Sequence, residues 1–269
     1  MAEFFRRVEK KYIINKKQYE LILKGIKNEM DLDPHGKSTI CNLYLDDDNY
    51  SLIKNSLQKP VYKDKVRIRS YNLADLESDV YVEVKKKYDG IVSKRRIKAK
   101  LKDVYSYLNK EKSIPHKNSQ VGKELDYYFK YYNLHPTAYI TYDREAYYAR
   151  NDKGFRITFD TNIQARDYDL GLDKGIYGNK IFDKDKILME VKTLGGIPIW
   201  FVKMMSEYEI RQGHFSKYGA TYLKIIKEKE EINRNVLIAQ KNNQILKNIE
   251  NKLENISTRI ISPAYQGLV

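Results

Sequence analysis

The chain has 269 residues, enough for one large domain or two small ones with an ample core. Its formal net charge of +14 favours polyanionic partners: nucleotides, polyphosphate, nucleic acid or an anionic membrane surface. One cysteine, Cys41, excludes a disulfide framework and a cysteine zinc site, and no stretch approaches the ~20 apolar residues of a membrane-spanning helix. Residues 1–11 are charged and carry no apolar signal core, so a cytoplasmic protein is expected, peripheral to a membrane only through a partner. Richness in Lys, Asn, Ile and Tyr is also what an AT-rich genome produces, so the placement of charge says more than its total.

In chain order, a first strand is expected from about Phe5 to Ile14. Asn15 then caps a helix carrying Tyr19, Ile22, Leu23 and Ile26 at helical spacing. Residues 31–37, with Pro34 and Gly36, read as a loop. A strand over 39–45 leads to a short helix capped by Asp48, with Leu52, Ile53 and Leu57. Strands at 62–71 and 79–98 follow, the second stretch turning at Asp89-Gly90. Residues 102–133 read as two helices broken around Pro115, and strands return at 138–149 and 153–164 around a turn at 151–154. After a loop with Gly171, Gly175 and Gly178, residues 186–193 form the last strand. Pro198 starts a helix whose Trp200, Phe201, Met204, Met205 and Tyr208 suit core packing. In the helical tail, Ile232, Ala239, Leu246, Leu253 and Ile260 repeat every seven residues, with Val236, Ile249 and Ile256 between them and Asn242 and Asn243 interrupting. That tail reads either as a docking or oligomerisation helix or as one lying back across its own barrel.

Charge placement on the strands carries the functional reading. Alternation puts Arg67 with Arg69, Glu83 with Lys85, and Glu9 with Lys11 on single faces, while Val66, Ile68, Val82 and Val84 face the other way. A sheet that packs its apolar face outward against helices turns the basic face inward. The fold class expected is therefore α+β: an antiparallel β-barrel with a basic tunnel, flanked by helices. Such a lumen suits phosphate chains. Arg67 and Arg69 can grip phosphate oxygens bidentately. Arg144 and Arg156 flank one turn symmetrically, so hairpin pairing is expected to bring them together around an anion. Glu9, Glu83 and Glu190 each precede a lysine by two residues, which suits either cross-strand charge compensation or a carboxylate holding a divalent cation. Glu190, on an otherwise apolar strand, is the best metal candidate. Ser216-Lys217 opens a helix, as an anion site or as an ordinary cap. No P-loop is present, the glycines fit no Rossmann spacing, and the four histidines show no metal-ligand spacing.

The chain resembles the catalytic domain of vacuolar transporter chaperone (VTC) proteins, polyphosphate polymerases of the triphosphate tunnel metalloenzyme, or CYTH-like, superfamily. The resemblance spans about Phe5 to Leu223 and rests on many short motifs in order. Among them are Arg-x-Glu-Lys-Lys-Tyr at 7–12, Val-Arg-Ile-Arg-Ser-Tyr at 66–71, Val-Glu-Val-Lys at 82–85, Ser-Lys-Arg-Arg at 93–96 and Tyr-Asp-Arg-Glu-Ala at 142–146. Phe-Arg-Ile-Thr-Phe-Asp at 155–160, Met-Glu-Val-Lys at 189–192, Ile-Pro-Ile-Trp at 197–200 and Phe-Ser-Lys-Tyr at 215–218 continue it. It implies a catalytic domain over residues 1–223, a helical tail over 224–269, and transfer of the γ-phosphate of ATP onto polyphosphate with release of ADP. It further implies that Lys11, Arg67, Arg69, Lys85, Arg144, Arg156 and Lys217 line the tunnel as catalytic residues. Lys94, Arg96, Tyr142 and Ser216 join them as phosphate-binding residues, and Glu190 holds Mn²⁺ or Mg²⁺. The implied partners are ATP and polyphosphate. No nucleic acid is expected, because the basic residues alternate with apolar ones on strands instead of clustering on an exposed helix. The tail offers a membrane protein or a second copy as a further partner. Where the family carries a further tunnel arginine, this chain has Ser56 or Lys59. The alternatives are a triphosphatase or cyclase of the same fold, or a non-catalytic polyphosphate-binding module.

Overall fold

A computed structural model describes residues 8–89 and 91–261, with side chains apart from those of His35 and residues 254–261. Residues 5–7 of the expected first strand, Gly90 of the expected turn, and the side chains of Ile256 and Ile260 lie outside the described residues. Strand β1 (Val8–Asn15) leads into α1 (Lys16–Ile26), and β2 (Met30–Asp46) into α2 (Ser51–Leu57). Strands β3 (Tyr62–Tyr71), β4 (Asp79–Tyr88) and β5 (Ile91–Lys100) precede α3 (Leu101–Leu108) and α4 (Gln120–Tyr131). Next come β6 (His135–Ala149), β7 (Arg156–Arg166), β8 (Asn179–Lys180), β9 (Lys186–Thr193), α5 (Ile199–Glu207), β10 (Gln212–Gly213) and α6 (Lys217–Thr221). A π-helical turn, Tyr222–Ile226, precedes α7 (Lys227–Ile261).

The strands form one antiparallel sheet in the order β10-β1-β9-β7-β6-β2-β3-β4-β5, with β8 added to β7. Among the described residues the ladder does not close between β5 and β10. Curvature encloses the lumen instead: Lys85 of β4 reaches Glu9 of β1 at 3.2 Å, although the two strands lie six places apart in the sheet.

The apolar face turns outward onto helices, as alternation requires. Leu43, Val66, Val82 and Val84 pack with Leu101 and Val104 of α3 and Leu125 of α4. On the other flank, Ile14, Phe155, Ile157 and Met189 pack with Ile22 of α1 and Phe201 of α5. Each fully buried side chain of this size contributes roughly 1.5–3 kcal/mol. Burying the outer face in this way leaves the opposite face of each strand, with its charges, to the lumen.

Two expectations are corrected. Residues 31–37 belong to β2 and are not a separate loop; the ladder to β6 slips between Leu32 and Lys37, around Pro34 and Gly36, where a missing N–H is tolerated. Helix α2 is not capped by Asp48. Asp46 Oδ1 and Oδ2 accept from the N–H of Leu52 and Ile53 at 2.9 and 3.0 Å, and Asp47 accepts from Ser51 at 2.8 Å, because Tyr50 at the cap position adopts a left-handed φ of 55°. By contrast, Asn15 caps α1 in a full capping box with Gln18.

The chain divides into two compact units, Met1–Lys224 and Ile225–Val269. The first holds the sheet and its flanking helices; the second holds α7. Among the described residues no helix is long and apolar enough to cross a membrane.

Candidate active site

A cavity of about 690 Å³ fills the curl of the sheet. All twelve candidate residues line it: Lys11, Arg67, Arg69, Lys85, Lys94, Arg96, Tyr142, Arg144, Arg156, Glu190, Ser216 and Lys217. Strand parity explains the convergence, because each residue occupies the lumen face of its strand or the first turn of α6. The same parity resolves the β5 register: Lys94 and Arg96 face the lumen, while Arg95 turns out to Glu124 at 3.2 Å. Ser56 and Lys59 do not line the cavity, nor do His116, His135 and His214.

Two buried carboxylates on the lumen face of the sheet anchor the cations at their base. Glu83, 1% exposed, accepts from Arg67 Nε at 2.9 Å and pairs with Lys94 at 2.6 Å. Burial works to raise its carboxyl, yet Arg67, Arg69 and Lys94 hold it down at about 2. Asp160, fully buried, takes a two-point grip from Arg144 at 2.6 and 2.7 Å and also pairs with Lys217. Nothing in the sequence pattern singled out Asp160, whose role depends on the β6–β7 register.

That register also corrects the expected pairing of Arg144 with Arg156. The hairpin centres on Asp152, so Arg144 lies opposite Asp160 and Arg156 lies opposite Tyr148. Both arginines still face the lumen. Arg156 sits across from Lys192 of β9 and pairs with Asp33 at 3.0 Å.

Glu190 is the focus of the wall. Lys192 lies at 3.1 Å, Lys11 at 3.2 Å, Arg144 at 3.5 Å and Lys217 at 3.8 Å. Burial pushes its carboxyl up, but Lys192, Lys11, Lys217 and Arg144 outweigh it and keep the group well below the usual carboxylate range. The three Glu-x-Lys pairs therefore compensate charge between strands, Lys85 with Glu9 and Lys11 with Glu190, besides placing a carboxylate in the lumen.

Two lumen cations stand outside the twelve. Lys192 lies beside Glu190, and Lys65 donates to Ser216 Oγ at 2.8 Å. Lys65 occupies the same face of β3 as Arg67 and Arg69, so parity alone marks it. Burial, aided by Lys11, Lys85, Lys63 and Arg67, drops its ammonium to about 7. Tyr142 lies under Lys217 and Arg144, at 4.2 and 5.1 Å from its ring centre. Burial raises its phenol, but Arg144, Arg69 and Lys217 bring it down to about 8.

In total, eleven cationic side chains and three carboxylates line the cavity. Arg156 Nε and Thr158 Oγ1 are buried there without a hydrogen-bond partner. Unpartnered polar atoms on the wall of a cationic cavity are poised for a polyanion's oxygens.

The sequence matches the VTC domain family over residues 6–226, most of its length. The chain belongs to the VTC domain family. Solved structures similar to this VTC domain include a candidate adenylate cyclase from Bacillus halodurans (12% identity, 78% of this chain and 95% of that one, TM-score 0.48). A candidate adenylate cyclase from Vibrio parahaemolyticus (12% identity, 80% and 96%, TM-score 0.45) and a Pyrococcus horikoshii protein (10% identity, 75% and 86%, TM-score 0.36) are also similar. No curated protein matches the chain. Family and lumen together mark a tunnel-fold protein that handles phosphate.

The residues present fit a divalent cation of the Mg²⁺ or Mn²⁺ type. Glu190 offers a hard carboxylate, and Thr158, its ladder partner, has a hydroxyl with no other partner. No group of three or more His, Cys, Asp or Glu among the described residues could hold an ion unaided. One or two carboxylates, completed by phosphate oxygens and water, is the usual arrangement for these ions on phosphate substrates.

Proposed function

We propose that this VTC domain transfers the γ-phosphate of ATP onto a growing polyphosphate chain and releases ADP. The observation that carries the reading is the composition of the lumen: guanidinium and ammonium groups from seven strands and one helix start converge on one cavity. Phosphoryl transfer requires mainly alignment of the reacting groups and neutralisation of spreading charge, which fixed cations supply.

In this reading Arg67, Arg69, Arg144 and Arg156 grip phosphate oxygens, and Lys11, Lys85 and Lys217 neutralise the group in flight. Lys94, Arg96, Tyr142 and Ser216 complete the wall. Glu190 would hold Mn²⁺ or Mg²⁺, which supplies further neutralisation of the phosphate oxygens when bound. The fixed carboxylates Glu83 and Asp160 keep the arginines oriented before substrate arrives.

A phosphate acceptor is favoured over water by the state of the lining carboxylates. Glu9, Asp33 and Glu190 are each ion-paired to lysine or arginine, which disfavours their use as a base to activate water. The terminal oxygen of a phosphate chain is already anionic and needs no base.

Incubation with ATP and Mn²⁺, followed by nucleotide chromatography and gel analysis, tests the reading. ADP with a polyphosphate ladder is expected. ADP with orthophosphate alone would assign a triphosphatase, cyclic nucleotide with pyrophosphate a cyclase, and untouched ATP a binding module.

A further inference from the structure

The basic wall does not stop at the cavity. On β3 the lumen face carries Arg69, Arg67 and Lys65 at alternate positions, and the next residue of that parity is Lys63. On β4 the lumen-facing Lys85 is followed by Lys87. The antiparallel register sets Lys65 opposite Lys85 and Lys63 opposite Lys87. Lys87 in turn pairs with Val92 of β5, which does line the cavity. Lys63 and Lys87 are therefore continuous with the wall, one strand step beyond it.

These two lysines differ from all the lumen lysines except Lys65, which donates to Ser216 Oγ instead. Lys11, Lys85, Lys94, Lys192 and Lys217 each have a carboxylate partner within 4 Å. Among the described residues Lys63 and Lys87 have none, and Lys63 is destabilised as a cation by burial and by Lys87 and Lys59. Two successive like-charge pairs directly across an antiparallel ladder oppose strand pairing. A sheet under that repulsion gains stability when an anion lies along the pairs. The outer face at the same level is fully used, since Asp64 is buried under Tyr62 and Tyr128.

Resting on the polyphosphate reading above, we propose that Lys63 and Lys87 form a subsite outside the lumen for the distal phosphates of a chain too long for the tunnel. The subsite makes the protein distinguish chains by length: tripolyphosphate fits within the cavity, whereas a long chain also engages the lysine pair and leaves at the β3–β4 end.

Titrating tripolyphosphate and long-chain polyphosphate into wild type and the K63Q/K87Q variant tests this. Long-chain affinity is expected to fall about fivefold or more, with tripolyphosphate affinity little changed. The slope of log affinity against log salt for the long chain should become shallower by about one to two units, as expected when phosphate contacts are lost. Equal losses for both ligands, or no loss for either, would overturn the subsite while leaving the lumen reading intact. Failure of wild type to bind either polyphosphate would overturn both. Exposed Val61 and Tyr88 lie at the same strand ends, so vesicles containing phosphatidylserine serve as a control. Vesicle binding lost in the variant with long-chain binding intact would assign the lysines to a membrane surface and overturn the subsite. The variant should unfold no earlier than wild type, because the substitution removes repulsion. Should the double variant fail to fold, K87Q alone, at an exposed position, carries the same comparison.

Discussion

Burial and four neighbouring cations depress the Lys65 ammonium to about 7, and an anion in the lumen stabilises its protonated form. Binding of a phosphate chain therefore takes up a proton above pH 7, and affinity is expected to fall as pH rises, by up to about tenfold per unit. Lys94, brought by burial to about 8 against the pull of Glu83, loses its charge in the same direction. The Tyr142 phenol, at about 8, gains a negative charge there. Calorimetric titration of tripolyphosphate from pH 6 to 9 should show the decline, and Lys65→Met should weaken binding at pH 6 and flatten the curve above 7. Affinity independent of pH would contradict these assignments. Glu83 has the opposite sign. Its carboxyl lies at about 2 instead of 4.5, so the stability it contributes is complete above 4.5 and lost as pH falls toward 2. The shift corresponds to about 3 kcal/mol, and Glu83→Gln is expected to lose about that much in urea unfolding at pH 7, with the gap to wild type narrowing toward pH 3. Arg67, Arg69 and Glu190 are legible in the sequence because alternation in a strand is a local property. Lys65 obeys the same alternation, yet a lysine at a strand's start reads as exposed until the neighbouring strands bury it. Asp160 is legible only once the β6–β7 register is known, and that register is set by where the hairpin turns, at Asp152.

Helices α2 and α6 share a carboxylate. Asp46 accepts from the N–H of Leu52 and Ile53 at the start of α2, and from the Tyr218 hydroxyl of α6 at 3.0 Å. Tyr218 follows Lys217 directly, and Ser216 caps α6 while receiving Lys65. Asp46 thus holds the turn that presents Lys217 to Asp160 and Glu190. Asp46→Ala is expected to cost about 2 kcal/mol in urea unfolding and to weaken tripolyphosphate binding, with Asp46→Asn partly restoring both. Intact binding in a folded Asp46→Ala protein would remove that positioning role. The α1 cap is readable from sequence because Asn15 and Gln18 are three residues apart. The α2 cap is not, since Asp46 ends a strand and competes with Asp47 and Asp48 for the same task. Strand β2 escapes the local rules too, because Pro34 and Gly36 sit where its ladder to β6 slips, between Leu32 and Lys37.

Over the whole molecule, the lumen exists because a ten-stranded sheet curls until Lys85 meets Glu9. Sequence alternation establishes that one face is basic and that helices cover the other. It cannot establish whether the ladder closes, because closure depends on which distant strands meet, and here β5 and β10 remain edges among the described residues. The sheet and its helices fall within one compact unit, Met1–Lys224, which contains every residue lining the cavity. Deleting residues from 230 onward is therefore expected to leave tripolyphosphate affinity and the unfolding midpoint near wild-type values; loss of either would give the tail a part in the site. The most direct measurement follows labelled phosphorus from ATP in the presence of Mn²⁺, comparing wild type with Arg144→Ala. Label from the γ position is expected to enter a polyphosphate ladder as ADP accumulates, and Arg144→Ala is expected to lose most of that incorporation. Label recovered only as orthophosphate, or an Arg144→Ala variant that polymerises as well as wild type, would contradict phosphate-chain extension in this lumen.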